Sequence, residues 1–488
     1  MKNIAVIGGG FGGIAAAIRL RARGNKVTVY ERLSKIGGRA QVFERSGYIH
    51  DAGPTVITAP NLFYELFSLF GENLEDFLEF KPLDPWYRFH FHDQTQFDYG
   101  PDREKMLDQI EKISPEDVSG YLSMLKESEA IFKLGYEKLA GHPFTRLTTM
   151  IRYAPAIIRM RGYKSVYSFV SKHLKHPNLR QAFSIQPLLV GGNPFTTSSI
   201  YALIHALEQK WGIFFCMGGT GKLVIELEKL MIRNGIEINY DSDVSSFSTS
   251  GKLITRVNFA NGESKAFDYI VSNADPIQVS TELLKNEKIS LHNNLIKKYA
   301  KHSMGLFVLF FGSTECYENV AHHTIWMGPR YKELLEDIFE HHHLGDDFSI
   351  YLHRPTCTDK SFAPKNHDSY YALVPVPNLK GNQNWGEIKE AFSKKILEAL
   401  DKTIMPGITK NAREVFSMTP EDFKENYRTP FGSGFSIAPI LTQSAWFRTH
   451  NQDDRYKNLF YVGAGTHPGA GVPGVINSAK VVEKILYP

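Results

Sequence analysis

The run Ile4-Ala5-Val6-Ile7-Gly8-Gly9-Gly10-Phe11-Gly12-Gly13-Ile14-Ala15-Ala16-Ala17-Ile18-Arg19-Leu20, followed by Lys26-Val27-Thr28-Val29-Tyr30-Glu31, decides the fold. The apolar residues read as a buried strand, the glycines as a tight turn and the alanine-rich stretch as a helix. The β-branched run is a second strand, closed by an acid. This is a βαβ dinucleotide unit, with Gly8, Gly10 and Gly13 at the fingerprint spacing and Gly12 in the same turn. Gly8 permits the turn, Gly10 admits a pyrophosphate to the backbone, and Gly13 lets the helix pack on its strand. The helix N-terminus turns unpaired N–H groups and its positive dipole end toward the phosphates. Glu31 is placed to accept hydrogen bonds from a ribose diol.

Past Glu31 the chain continues through Arg32 to Gly37-Gly38-Arg39-Ala40. A second glycine pair and an arginine just beyond the acid resemble the FAD enzymes of the amine oxidase and carotenoid desaturase superfamily. The resemblance implies that Gly38 lets the chain turn beneath the pyrophosphate. Arg39 then supplies a fixed charge-assisted donor, with Arg32 beside it. FAD is expected rather than NAD.

A chain of 488 residues exceeds one ordinary core, so two or three domains are expected. Hydrophobic content of 42% with 22% charged residues is that of a soluble globular protein. A net charge of +4 with no recognisable binding motif argues against a nucleic-acid partner. Cys216, Cys316 and Cys357 lie far apart, without paired or metal-like spacing, and a reducing cytoplasm is the expected compartment. The first strand begins at the start of the chain, and no signal or transit peptide is expected. Apolar runs such as Leu306 to Phe311 are too short to span a bilayer.

Downstream, Gln41 to Ile57 reads as a hairpin-like passage into the loop Asp51-Ala52-Gly53-Pro54-Thr55, a segment able to approach a flavin. Pro60 to Phe70 has helical spacing. Trp86 to Tyr99 reads as one aromatic strand facing an apolar cavity, with His90 and His92 as ordinary strand histidines. Gly218-Gly219-Thr220-Gly221 precedes a helix over Lys222 to Met231 and a strand over Ile236 to Asn239, which return the chain to the nucleotide domain. Strands Lys252 to Asn261 and Lys265 to Ile270 flank an Asn261-Gly262 hairpin signal. Beyond Ser303 the strands Leu306 to Phe311, Phe348 to Leu352 and Tyr370 to Val374 indicate a second domain. The histidines His341-His342-His343 point in different directions on any regular element, and no metal site is expected.

The segment from 102 to 210 reads as helical, and between Lys138 and Glu208 it contains no Asp or Glu. The same stretch carries Arg146, Arg152, Arg159, Arg161, Lys164, Lys172, Lys175 and Arg180, interleaved with aromatic and aliphatic residues. Such a composition suits an interfacial surface whose apolar side chains enter the acyl region while Lys and Arg meet anionic head groups. A solvated helical face with partnered charges is the alternative.

Near the C-terminus, Asn458 to Thr466 is a strand ending in Gly463-Ala464-Gly465, and His467-Pro468-Gly469-Ala470-Gly471-Val472-Pro473-Gly474 leads into a last helix. Its N-terminus, with the Val472 amide, is suited to the pyrimidine side of a flavin, where reduction places negative charge. These C-terminal stretches resemble the bacterial phytoene desaturases, most closely the lycopene-forming type. So do Leu189-Val190-Gly191-Gly192-Asn193-Pro194-Phe195, Ala321-His322-His323-Thr324 and Leu441-Thr442-Gln443-Ser444-Ala445-Trp446-Phe447-Arg448. The likeness runs the length of the chain.

The resemblance implies an α/β protein of the amine oxidase and GDI-like superfamily. It has an FAD-binding Rossmann-like domain, a strand-rich substrate domain and a helical membrane-docking region. The expected division is 1–85, 218–290 and 415–488 for a discontinuous FAD-binding domain, 86–115 and 291–414 for substrate binding, and 116–217 for the helical membrane-associating region. Val244 would give its backbone to the adenine, and Gly463, Gly465 and Val472 would complete the cofactor site. The implied chemistry is repeated hydride removal from phytoene to flavin, with a neighbouring proton lost, so that the conjugated polyene grows, four steps giving lycopene. Oxygen or a quinone would reoxidise the flavin. An anionic membrane surface and a homo-oligomer on it are the expected partners, with the protein cytoplasmic and peripherally attached. Arg152 and His467 are the candidate catalytic residues. A diapophytoene or hydroxycarotenoid desaturase, a carotene isomerase using reduced FAD, and a prenyl-lipid escort protein share parts of this pattern.

Overall fold

A computed structural model describes residues 1–488. Strand Asn3–Ile7 forms the centre of a five-stranded parallel sheet, in the order Leu459–Tyr461, Tyr269–Ser272, Asn3–Ile7, Lys26–Tyr30 and Glu237–Asn239. Its strands come from both ends and the middle of the chain, so the layer joins segments far apart in sequence. The glycine-turn helix Phe11–Ala22 is buried from Phe11 to Leu20. A helix apolar on every side must be covered on every side, and here the C-terminal helix Val472–Leu486 and the helix Gly219–Arg233 pack against it. Arg19, buried among them, is paired to Glu65 at 2.7 Å and Glu483 at 3.1 Å. Gly13 shows why its position tolerates no side chain: a Cβ there would stand 2.0 Å from the Gly8 carbonyl oxygen.

The second layer is a seven-stranded sheet in the order Ala412–Met418, Gly305–Ser313, Asp368–Val376, Ile350–His353, His323–Trp326, Tyr87–His90 and Gln96–Tyr99. Every pairing is antiparallel except that of His323–Trp326 with Tyr87–His90. The aromatic run expected as one strand is therefore a hairpin. Asp93 accepts a hydrogen bond from the Thr95 amide at 3.0 Å and Gln94 takes a positive φ of 66°, which turns the chain within the run. The boundary expected at 414/415 falls inside strand Ala412–Met418, whose nine-residue neighbour Gly305–Ser313 is buried throughout. The hairpin Val42–Arg45/Tyr48–Asp51 and the Asn261-Gly262 turn lie where the sequence indicates.

In the chain, strands Gln96–Tyr99 and Phe214–Cys216 are separated by the helices Arg103–Ile113, Asp117–Phe132, Leu147–Arg159, Val166–His173, Pro177–Ser184 and Leu203–Trp211. No helix is long and apolar enough to cross a membrane.

Candidate active site

A continuous cavity of about 610 Å³ opens at the carboxyl ends of the parallel strands and extends into the seven-stranded layer. This is where open α/β sheets bind ligands. Gly8, Gly10, Gly12, Glu31, Arg32, Gly38 and Arg39 border it, as do Val244, Gly463, Gly465, His467 and Val472. Residues spread over the whole sequence thus meet on one wall. Gly13 lies beneath that wall, in the helix packing already described.

Arg152 is placed elsewhere. It is exposed on helix Leu147–Arg159, the only buried residue of which is Ile157, and it does not border the cavity. A group there cannot touch reacting atoms in the cavity, so the catalytic role expected for Arg152 is not supported by its position. His467 does sit on the wall. Its Nε2–H donates to the Leu139 carbonyl at 3.2 Å, its ring meets Phe144 at 4.8 Å, and Nδ1 has no partner. Burial pulls its pKa down to about 4, leaving a neutral ring with a free acceptor.

The glycine turns are laced together. The Gly8 amide donates to Tyr30 O at 2.8 Å and the Gly37 amide to Gly9 O at 2.7 Å. Glu31 is buried, accepting from the Gly9 amide at 2.6 Å and the Leu33 amide at 2.9 Å. Burial raises its pKa, while these amides and Arg32 oppose the rise. Arg32 donates to the Glu425 carbonyl at 3.1 Å and to the Asn426 carbonyl. Val244 is buried at the start of strand Val244–Ser250, beside Asp243, which takes a two-pronged bond from Arg428 at 2.6 and 2.7 Å.

These residues fit FAD. A Cβ on Gly10 would come within 2.7 Å of Asn273 Nδ2, so the turn is filled to backbone thickness and only an unsubstituted chain leaves the approach open. Arg39 is half-buried and borders the cavity, its Nε is unpartnered, and desolvation depresses its pKa. A desolvated cation without an ion pair asks for an anion, and a pyrophosphate is one. The first-turn amides of helix Val472–Leu486 add a second anion-favouring element.

Several residues of the site escape a motif reading. The Asn273 side chain stands against Gly8, Gly10, Gly12 and Gly463, locking the first turn to the last strand. Buried Arg448 donates to the carbonyls of Ala464 at 2.6 Å, Gln443 at 3.2 Å and Ile437 at 3.3 Å, fixing the loop ahead of the C-terminal helix. The loop after Asp51 splits in two directions. Asp51 turns away and accepts from the Thr220 amide at 3.0 Å and the Gly221 amide at 3.3 Å, capping helix Gly219–Arg233, while Ala52 to Val56 border the cavity. Glu208 also borders it, accepting from Tyr99 Oη at 3.1 Å, with burial raising its pKa to about 8.

The far part of the cavity is walled by Leu188, Leu203, Ile325, Leu306, Leu373 and the rings of Tyr351 and Tyr371. A dinucleotide cradle opening into an apolar chamber defines a flavin enzyme for a hydrophobic substrate. The comparisons agree. The family model of flavin-containing amine oxidoreductases matches residues 11–482. A lycopene-forming phytoene desaturase from Pantoea ananas is 44% identical, covering 100% of this chain and 99% of its own. A neurosporene-forming phytoene desaturase from Cereibacter sphaeroides is 39% identical over 98% and 93% of the two chains. The crystal structure of an oxidoreductase from Methanosarcina mazei superposes with a TM-score of 0.68 at 15% identity, over 99% of each chain, and shares the fold. The chain belongs to the flavin-containing amine oxidoreductase family and, within it, to the phytoene desaturases. It is an FAD-dependent oxidoreductase.

Proposed function

We propose that the protein desaturates phytoene, in four steps to lycopene. The observation that carries this reading is the continuity of the cavity, from the glycine cradle into a chamber walled by aliphatic and tyrosine side chains. Bound FAD supplies the hydride acceptor for each allylic C–H bond. The protein contributes shape and dryness. A hydrocarbon offers no polar handle, so only the chamber walls orient it. Neutral His467, which borders the cavity and whose Nδ1 has no protein partner, is the retained candidate for handling a proton near the cofactor.

The exposed face of helix Leu147–Arg159 supports delivery from a membrane. Leu147, Ile151 and Ile158 are 47%, 63% and 63% exposed, and Tyr163 beyond them is 59% exposed. The three aliphatic residues fall on one stripe at 3.6 residues per turn. Arg146, Arg152, Arg159, Arg161 and Lys164 are exposed around them and form no ion pair, whereas Lys172 and Lys175 are taken by Glu127 and Glu116. An apolar stripe bordered by free cations suits peripheral attachment to anionic lipid.

The test is incubation of the FAD-loaded protein with phytoene in anionic liposomes under air, read by mass and absorption spectrum. Loss of eight hydrogens with a red-shifted polyene is expected for four double bonds. An unchanged mass overturns desaturation and favours isomerisation. Running the reaction with oxygen replaced by a quinone identifies the electron acceptor.

A further inference from the structure

We infer that a string of hydroxyl and imidazole groups, from Thr55 and Tyr371 through Tyr351, His323, His353 and His322 to Thr358, carries protons from the cavity wall to the surface. The inference rests on the desaturation proposed above, because each new double bond releases one proton inside a dry chamber. The Thr55 hydroxyl lies 2.7 Å from Tyr371 Oη and 3.0 Å from Tyr351 Oη, and all three residues border the cavity. Tyr351 Oη is 2.8 Å from His323 Nδ1. His353 Nε2 is 3.2 Å from His322 Nε2, and His322 Nδ1 is 2.7 Å from the Thr358 hydroxyl. Thr358 reaches solvent beside exposed Cys357.

One interval is longer than a hydrogen bond. A ring nitrogen of His323 lies within 4.8 Å of those of His322 and His353, and His323 Nε2 has no partner. A small ring rotation or one bridging water closes a gap of that size. The contacts permit one consistent direction, given the matching histidine tautomers. His323 Nδ1 accepts from Tyr351, leaving Nε2 to donate. His353 then donates to His322 Nε2, and His322 Nδ1–H donates to Thr358. On each side of that interval the hydrogen bonds can run the same way, toward Thr358. The imidazoles are buried neutral, so they pass charge without holding it.

The step balances. The hydride leaves one allylic carbon for the flavin. The electron pair of the neighbouring C–H bond becomes the second bond between the two carbons, and its proton enters at the Thr55–Tyr371 hydroxyls. Each group hands its own proton on, and Thr358 releases one to water. Nothing is oxidised along the string.

The test uses the FAD-loaded protein with phytoene liposomes, without oxygen, in weak buffer with an indicator dye. Flavin bleaching and proton release are followed together. Tyr351→Phe keeps the ring and removes one hydroxyl. Its proton release should slow by about 100-fold, the low end for a lost proton-transfer group, and the solvent deuterium effect on the wild-type rate should shrink. Thr358→Val, at the surface end and away from the cavity, should slow release and be rescued by added imidazole buffer, a rescue that a packing defect does not show. Wild-type release from both variants, with an unchanged isotope effect, overturns the string. A stoichiometric divalent metal in the purified protein, lost in His323→Phe, overturns it too, because the ring nitrogens would be occupied. Photoreduction of the bound flavin without carotene draws protons from solvent and reads the same variants. Should phytoene prove not to be the substrate, that arm still decides: slowed uptake in both variants supports the string, and wild-type uptake rejects it.

Discussion

At the scale of single residues, Arg39 makes the sharpest claim. It is a half-buried cation with an unpartnered Nε, and its neighbours of opposite charge tendency are Asp275 and Tyr427. Asp275 is already engaged, accepting from Ser436 Oγ and from the Ile277 amide at 2.9 Å. The FAD pyrophosphate is therefore the anion that would compensate Arg39. A charge-assisted hydrogen bond of this kind contributes about 2 kcal/mol, so Arg39→Ala should weaken FAD binding by about 30-fold. Arg39→Lys keeps the charge, loses the planar fork and should recover part of that. Flavin fluorescence titration of the apoprotein measures both. An Arg39→Ala variant that binds FAD as tightly as the parent removes Arg39 from the site.

At the scale of elements, helix Leu147–Arg159 separates two kinds of charge within one acid-free stretch. Arg152 and Arg159 have no acidic partner, while Lys172 and Lys175 are paired across to helix Asp117–Phe132 and its N-cap at 2.5 and 2.6 Å. A cation near an anionic leaflet contributes about 1 kcal/mol. Arg152→Ala with Arg159→Ala should thus lower partitioning into anionic liposomes by about 30-fold at low salt, and less as salt rises. Lys172→Ala with Lys175→Ala should change it little. Sedimentation with vesicles reads both pairs, and equal losses from the two would mean that total charge, not this helix, drives attachment. The stretch was legible in sequence as a basic, apolar segment because its composition is local. Which of its cations are free was not, because Glu116 and Glu127 lie on a preceding helix. The same distinction holds elsewhere. The Gly8–Gly13 turn and its two strands are specified by contiguous residues and were readable as they stand. The Trp86 to Tyr99 hairpin was not, because its turn at Asp93 and Gln94 interrupts an aromatic run whose period remains that of a strand. Glu208 carried no motif at all, and only the fold brings it to Tyr99 and the cavity.

At the scale of the whole molecule, the interior holds an unusual number of neutral imidazoles. Burial lowers His50, His205, His302 and His467 to about 4 and His322 to about 3, and holds His323 and His353 well below the ordinary value of 6.5. A depressed folded pKa means that the unfolded chain takes up protons first. Stability supplied by these rings is full above about 6.5 and falls as pH drops toward 4. Buried carboxyls act in the other direction. Asp51, raised to about 6, and Glu208, raised to about 8, favour the fold in their protonated forms, and Glu31 and Asp453 are also raised by burial. Their contribution grows as pH falls and is lost as pH rises through the folded values. Seven histidines oppose four carboxyls below 6.5, so the histidines win there. Above 7 the rings no longer change, and Glu208 alone goes on costing stability, because the unfolded chain has it ionised while the fold keeps it protonated until about 8. The FAD-saturated protein should therefore be most stable between about 6 and 7. Its urea midpoint should fall steeply on the acid side and gently on the alkaline side. Glu208→Gln cannot ionise, so it should flatten the alkaline limb and, with its opposition to the histidines gone, steepen the acid limb. A midpoint that holds steady from pH 6.5 to 4.5 would show that the buried rings take up protons within the fold, and with them the neutral state assigned to His467 and to the Tyr351–Thr358 string would be lost.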